Sequence, residues 1–155
     1  MIIRSMRRRD CAEIAVLEAS LFDSAFHRKH LEHLVSRDTF CGYVIDCGGS
    51  VSVRYFGYIL AQIVADRAEI LSFAVIPQQR RRGYGHALLD RFFCDARDRG
   101  VSEVTLEVAS DNVPALTFYQ QHRFISSGVR RAYYQRNDGV CDAILMVCWL
   151  TKAFS

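Results

Sequence analysis

The chain has 155 residues, of which 50% are hydrophobic and 24% are charged, and its formal net charge is +3 at pH 7. These values are typical of a globular protein and predict a single domain over residues 1–155. The weak positive charge does not favour a nucleic-acid partner. No apolar run approaches the ~20 residues of a membrane span, and the N-terminus lacks the apolar centre of a signal peptide, so we expect a cytoplasmic protein without a membrane partner.

The first half of the chain predicts four strands and two helices. Asp10 is expected to cap the first helix, and Glu13 three residues later completes a capping box. A second helix is expected from about Ser24, with a buried side formed by Phe26, His30 or Leu31, and Leu34. The strands are predicted at Met1–Met6, Phe40–Asp46, Val53–Val64 and Glu69–Ile76, the last three in a consecutive antiparallel set.

The pattern changes after Pro77. A loop leads into a long helix that ends near Arg99, where Gly100 supplies the C-cap, and an apolar strand follows at Val104–Val108. A strand, a helix and a strand in this order predict a right-handed crossover between parallel strands. Asn112 or Asp111 then caps a short helix with Pro114 in its first turn, and a hairpin of Phe124–Tyr133 and Cys141–Leu150 around Asn137–Gly139 closes the chain.

A run of arginine and glycine, residues 80–85, lies between the apolar strand Ile70–Ile76 and the helical pattern His86–Phe93. The first turn of a helix has unpaired backbone N–H groups and a partial positive charge, and glycines let a phosphate approach the backbone. The run therefore predicts a phosphate-bearing ligand. Neither the Gly-x-Gly-x-x-Gly of a dinucleotide fold nor the Gly-Lys-Ser/Thr of a P-loop is present.

Arg80, Gly83 and Gly85 fit the signature Gln/Arg-x-x-Gly-x-Gly/Ala of the GNAT superfamily of acetyl-CoA-dependent N-acetyltransferases, which the chain resembles from about Leu71 to Met146. The resemblance narrows to the RimI-like branch, the ribosomal-protein alanine N-acetyltransferases, at Leu106–Val108, Asn112, Ala115–Leu116, Phe118–Tyr119, Phe124, Arg130–Tyr134 and Asp142–Met146. It implies a single-domain α/β GNAT fold. Its sheet is mixed, mostly antiparallel and of about seven strands, splayed at the crossover between the fourth and fifth strands, with helices on both faces.

The resemblance also implies acetyl-CoA as cosubstrate and the residues that bind it. The backbone of Phe73, Ala74 and Val75 would hold the pantetheine arm like an added strand, and Asn112 would reach the same arm. A bulge near Ala74 would expose the required backbone donors. The pyrophosphate would lie on the loop and helix start, formed by Arg80, Arg81, Arg82, Gly83, Tyr84, Gly85 and His86.

Transfer of an acetyl group needs a base for the protonated amine and an acid for the departing thiolate. Glu107 is the candidate base, acting directly or through a water, and Tyr119 is the candidate acid. The pattern alone leaves open that Glu107 is an ordinary outward-facing strand residue and that Tyr119 is a core aromatic. Direct attack within a ternary complex is the simplest path.

The acceptor is less well specified. The resemblance implies a peptide or protein N-terminus, such as that of a ribosomal protein, in a groove with Phe26, Tyr133 and Tyr134. A small amine, a lysine side chain or a non-catalytic acyl-CoA-binding module are the alternatives. Residues 22–26 lack the tryptophan and proline of close relatives, and residues 51–58 are elongated, so the acceptor stays open, as does the oligomeric state.

No metal is expected. The six cysteines include no Cys-x-x-Cys pair, and we expect them reduced. His27, His30 and His33 follow one another at a spacing of three, which spreads them over an arc of a helix instead of one tight face. Cys94 has no histidine near it in the sequence, so an acyl-cysteine intermediate is disfavoured.

Overall fold

The computed structural model describes residues 1–49, 52–136 and 139–151, which form seven strands and four α-helices in the predicted order. The strands are β1 Ile2–Ser5, β2 Phe40–Asp46, β3 Tyr55–Val64, β4 Arg67–Val75, β5 Glu103–Ala109, β6 Ile125–Arg136 and β7 Gly139–Trp149. The helices are α1 Cys11–Leu21, α2 Arg28–Val35, α3 Tyr84–Asp98 and α4 Val113–Gln121, and short 3-10 turns cover Arg8–Asp10 and Pro77–Gln79. In this part of the chain, no helix is long and apolar enough to span a membrane.

The strands form one mixed sheet in the order β1-β2-β3-β4-β5-β7-β6. All neighbours are antiparallel except β4 and β5, which run parallel and pair over only three residues, from Arg67 with Glu103 to Glu69 with Thr105. Beyond Glu69 the two strands part. The predicted splay between the fourth and fifth strands is therefore confirmed, and it opens a gap at the centre of the sheet.

A bulge in β4 accompanies this parting. Leu60 of β3 pairs with Ser72, whereas Ala61 pairs with Ile70, so Leu71 has no partner in the register. The prediction of a bulge near Ala74 was wrong by three residues. The extra residue lies just beyond the last pair with β5, at Glu69, because that is where β4 must bend away from its parallel neighbour.

Helices cover both faces of the sheet, as predicted. On one face α3 buries Leu88, Leu89 and Phe92 in a core that also contains Leu106 and Phe124. On the other face α1 and α2 bury a second core, which includes Ile14, Leu31, Leu34, Val44 and Leu60. Strand β2, which lies between β1 and β3, is buried on both faces, so it is an almost continuous apolar run without alternation.

Several predicted helix ends are confirmed. Asn112 caps α4, its side-chain oxygen accepting a hydrogen bond from the Ala115 amide at 3.3 Å, and Gly100 has the positive φ of 81° expected after α3. The predicted turn residues Asn137 and Asp138 lie outside the described residues, as do residues 50 and 51, the second of which begins the elongated segment.

The second helix begins at Arg28, four residues after the predicted start. The backbone N–H of Phe26 donates a hydrogen bond to the carboxylate of Glu18 at 3.3 Å. That contact holds residues 22–27 outside the helix, as an irregular segment between α1 and α2.

The prediction that Asp10 caps the first helix was wrong. Its side chain makes no cap hydrogen bond to α1 and is instead fully buried. The carboxylate accepts hydrogen bonds from the Arg4 guanidinium at 2.8 and 2.9 Å, the Arg7 amide at 2.8 Å and the Tyr55 hydroxyl at 2.5 Å. Burial by itself would raise the pKa of Asp10, but these hydrogen bonds outweigh it and lower the pKa to about 2.

We expect Asp10→Asn to reduce the free energy of unfolding by about 3 kcal/mol, the lower end for breaking a buried pair, because Arg4 keeps a second partner in Asp46. Urea unfolding measures this. Glu32→Gln, which removes only exposed ion pairs, should cost less than about 1 kcal/mol.

The stabilisation by Asp10 should also depend on pH. Since the folded pKa lies below the ordinary 3.8, the contribution is complete above about pH 4 and is lost as the pH falls to about 2. A loss in Asp10→Asn no larger than in the Glu32 control, or one independent of pH in this window, would contradict the assignment.

Candidate active site

A cleft of about 350 Å³ lies where β4 and β5 part. Its walls come from β4, β5, α4, the end of α1, residues 22–26 and the end of β6. Six residues predicted for the site from sequence line it together: Phe26, Phe73, Glu107, Asn112, Tyr119 and Tyr134. They are up to 108 positions apart in the chain (26 to 134), and the splayed sheet brings them to one place.

Glu107 enters the cleft because of strand alternation. Its neighbours Leu106 and Val108 are buried in the core, and Glu107 is half-buried on the opposite face, as predicted. Its Oε1 lies 3.3 Å from a guanidinium nitrogen of Arg130 on β6. This ion pair holds one carboxylate oxygen. The sequence did not indicate that Arg130 lies beside Glu107. Strand β7 lies between β5 and β6, so the alignment of these two residues depends on tertiary structure.

Tyr119 is buried on the inner side of α4. Its ring packs against Phe73 at 6.1 Å, Phe118 at 5.6 Å and Phe124 at 5.5 Å between centroids. Burial, with a smaller contribution from Tyr134, raises the pKa of the Tyr119 hydroxyl well above its ordinary value of 10. The hydroxyl therefore stays protonated at neutral pH, which is the state a proton donor needs.

The start of α3 has the form of an anion site. Gly83 occupies the N-cap with a φ of +85°, no side chain caps this end, and the first intrahelical bond runs from the Ala87 amide to the Gly83 carbonyl at 3.1 Å. The amides of Tyr84, Gly85 and His86 therefore have no partner within the helix. A Cβ at Gly83 would meet no atom within 4 Å, so the space in front of it is open.

The three arginines of the loop differ in their environment. Arg80 donates from Nε to the carbonyl of Val75 at 3.0 Å, which ties the loop to the end of β4. Arg81 and Arg82 are exposed, and Arg81 has a φ of +62°. Two guanidinium groups with no ion pair to a described residue thus flank the helix start, in the arrangement that suits a diphosphate.

The backbone of Phe73, Ala74 and Val75 pairs with β3 on one side. On the other side, the pairing with β5 has already ended at Glu69. This edge of β4 is therefore without a neighbouring strand in the described structure, and an extended ligand can lie along it.

Tyr134 lines the cleft, whereas its neighbour Tyr133 does not. Tyr133 is 48% exposed, contacts the Tyr134 ring edge-on at 5.2 Å and lies under the Arg130 guanidinium. A break in the β6–β7 register between Arg130 and Tyr134 separates the two tyrosines, with Ala132 at a φ of +54°. The structure therefore does not bring Tyr133 to the predicted groove.

His122 contacts His86, and the sequence did not predict this contact. Its Nε2 lies 2.6 Å from Nδ1 of His86, and the Phe118 ring packs beside both imidazoles. The pair joins the end of α4, the helix of Tyr119, to the first turn of α3. Two histidines 36 positions apart give no local pattern from which the contact could be predicted.

None of the other candidates is among the described residues that line the cleft, although the His30 ring contacts Phe26 at 4.9 Å between centroids. Cys94 is exposed on α3, and His27, His30 and His33 are exposed around α2. Within the described residues, one group of three potential metal ligands is present, formed by Cys94, Asp95 and Asp98 on the surface of α3. Asp95 in that group already accepts hydrogen bonds from the Tyr43 hydroxyl and from Arg91.

Residues 5–124 match the model of the acetyltransferase (GNAT) family. The chain belongs to the GNAT family. The [ribosomal protein bS18]-alanine N-acetyltransferase of Escherichia coli K12 is 37% identical over 89 residues, and this match covers 57% of the chain and only 60% of that relative. A Bacillus subtilis protein, whose name assigns it the same activity only provisionally, is 29% identical over 150 residues. That match covers 96% of this chain and 94% of the Bacillus subtilis protein.

Solved structures agree with this GNAT assignment. The crystal structure of the ribosomal-protein-S18-alanine N-acetyltransferase from Escherichia coli superposes with a TM-score of 0.87 at 25% identity, covering 99% of this chain and 96% of that one. NAA60 of Arabidopsis thaliana in complex with acetyl-CoA gives a TM-score of 0.85 at 17% identity, with 96% and 98% covered, which shows a common fold.

The His86–His122 contact predicts a pH dependence of stability. Burial lowers the pKa of His122, and His86 lowers it further against the opposing effect of Asp90. Because the folded state takes up this proton less readily than the unfolded state, the free energy of unfolding should fall as the pH drops through about 6.5.

Urea unfolding between pH 7.5 and 5.5 tests this effect. His122→Gln should show a weaker fall with decreasing pH than the wild type, and His33→Gln, at an exposed position, serves as the matched control. An unchanged slope in His122→Gln would contradict the role given to the pair.

Proposed function

We propose that the chain is an acetyl-CoA-dependent N-acetyltransferase that modifies the N-terminal amine of a protein. One observation carries the proposal: Glu107 and Tyr119 face the same cleft, at the gap between β4 and β5. Membership of the GNAT family and the likeness to the bS18-alanine N-acetyltransferases support it. A ribosomal protein with an N-terminal alanine is the acceptor that these relatives suggest.

The residues present fit acetyl-CoA, which would supply an acetyl thioester. The open space before Gly83 and the unpaired amides of the first turn of α3 suit its diphosphate, together with Arg81 and Arg82. The unpaired edge of Phe73 to Val75 suits the amide groups of the pantetheine arm. Asn112 lines the same cleft, although its side-chain oxygen already accepts the Ala115 amide.

The chemistry follows from the two facing groups. Glu107 accepts a proton from the acceptor ammonium, directly or through a water, with the oxygen that Arg130 does not hold. The free amine then forms a C–N bond at the thioester carbon as the C–S bond breaks. Tyr119 donates its proton to the departing sulfur, and the proton that the new amide nitrogen then loses restores the tyrosine hydroxyl. No covalent enzyme intermediate is needed, and the rate depends largely on holding the two substrates together.

The charge of the cleft favours a cationic acceptor. Three carboxylates line it, those of Glu18, Asp23 and Glu107, and no lysine, arginine or histidine is among the described lining residues. Phe22 and Asp23 are exposed at the rim, so the acceptor end is open to solvent. An open rim gives a peptide room to leave the site, which favours a protein N-terminus over a small polyamine.

Mass spectrometry after incubation with acetyl-CoA tests the acceptor class. We expect a gain of one acetyl group on peptides that begin with alanine and none on the same peptides with a blocked N-terminus. A lysine inside the blocked peptide and a set of small amines serve as comparisons. Acetylation of these compounds alone would support the alternative acceptor classes, and no acetylation at all would favour a non-catalytic acyl-CoA-binding module.

Substitution of the two facing groups tests the mechanism. Glu107→Gln and Tyr119→Phe should each lower kcat by about 10²- to 10⁴-fold, the usual contribution of a general acid or base. Glu103→Gln on the same strand and Tyr133→Phe outside the cleft are matched controls and should keep near wild-type turnover. Full turnover in both cleft variants would refute the assignment of acid and base.

A further inference from the structure

Three carboxylates are buried in the described part of the chain: Asp10, Glu18 and Asp46. Asp10 and Asp46 both pair with Arg4, and Asp46 also pairs with Arg54. Glu18 is only 1% exposed, yet it forms no ion pair with any described residue. It is the exception among the three, and nothing in the proposed acid–base chemistry uses it.

Glu18 is held instead by three neutral donors. The hydroxyls of Tyr58 and Ser72 donate to Oε2, the latter at 2.7 Å, and the backbone N–H of Phe26 donates to Oε1 at 3.3 Å. These partners belong to β3, to β4 next to its bulge and to the 22–27 segment. Through these hydrogen bonds, the Glu18 side chain of α1 links two parts of the cleft. One is the 22–27 segment, which forms the wall at the acceptor end. The other is β4, whose edge from Phe73 to Val75 is proposed for acetyl-CoA.

The same side chain lines the cleft, as do Asp23 and Phe26 of that wall. Burying a carboxylate without a cation costs free energy that hydroxyl and amide donors offset only in part. A cation that enters the cleft would offset the remaining cost of burial. No basic residue is among the described residues that line the cleft. The protonated amine of the acceptor is the cation that the proposed reaction brings there.

We propose that Glu18 is a positioning residue for the acceptor amine. Its contact with the Phe26 amide fixes the acceptor wall, and its charge attracts the incoming ammonium toward the gap between β4 and β5. This inference rests on the proposed function in one respect, since it takes the cation to be the acceptor amine. It assigns no role to Glu18 in proton transfer, which stays with Glu107 and Tyr119.

Binding of an alanine-initiated peptide amide to the protein saturated with CoA tests the inference without turnover. By calorimetry, Glu18→Gln should bind this peptide about 10-fold or more weakly than the wild type, as expected for loss of a contact to a charged group. Its affinity for CoA should stay within about 2-fold, because the diphosphate site on α3 is remote from α1. In steady-state assays the acceptor KM should rise while the acetyl-CoA KM does not.

Two variants separate the charge from the stability of the cluster. Tyr58→Phe removes one donor and keeps the carboxylate, so its acceptor affinity should remain near that of the wild type. Glu13→Gln removes an exposed carboxylate of the same helix and should have no effect. If Glu18→Gln does not fold, the double variant Glu18→Met and Tyr58→Phe replaces the cluster by apolar groups and should show the same loss of acceptor affinity.

Equal acceptor affinity in the wild type and in the Glu18 variant would overturn the inference, and so would a parallel loss of CoA affinity. A wild-type protein that binds no such peptide would also overturn it. Peptide binding that depends on Glu18 without any acetylation would leave this inference standing and would refute the proposed function.

Discussion

The site depends on how briefly β4 and β5 pair. Three residue pairs hold the two strands together, and a bulge at Leu71 then turns β4 away. If the pairing continued to Val75, the backbone edge from Phe73 to Val75 would be consumed by the sheet and no cleft would exist. The same parting opens the cleft that Glu107 of β5 lines. One interruption in the ladder thus creates both the ligand edge and the position of the candidate base.

The cleft and the candidate anion site at the start of α3 carry opposite charges. Arg81, Arg82 and the amides at the start of α3 form the candidate anion site, whereas Glu18, Asp23 and Glu107 line the cleft. An anionic cosubstrate and a cationic acceptor would therefore each meet a field of opposite sign, and neither would be attracted to the place of the other. This separation favours an ordered arrangement of the two substrates without any moving part.

Sequence reasoning succeeded where the signal was local. The strands, α3, α4 and the Asn112 cap follow from periodicity and capping, and the orientation of Glu107 follows from the alternation of β5. It failed where the decisive partner is distant in the chain. Asp10 has the spacing of a helix cap, but Arg4 and Tyr55 compete for its carboxylate once it is buried. Arg130, His122 and the outward position of Tyr133 depend on the register of β6 and on the meeting of two helices, which no local pattern encodes.

Glu18 shows the same limit in a more informative way. In the sequence it is one of two glutamates of α1, and a charged side chain is usually assigned to solvent, although Glu18 lies four residues after Ile14 on the buried face of the helix. Burial of a charged group is costly, so its retention under α1 requires a compensating partner. Asp10 and Asp46 find theirs inside the fold, in Arg4 and Arg54, and serve stability. Glu18 has only neutral donors among the described residues, so its negative charge is not neutralised by a cation of the fold and acts on the cleft that it lines. Asp10 and Asp46 therefore carry charges that stabilise the fold, whereas Glu18 carries a charge that can interact with a substrate.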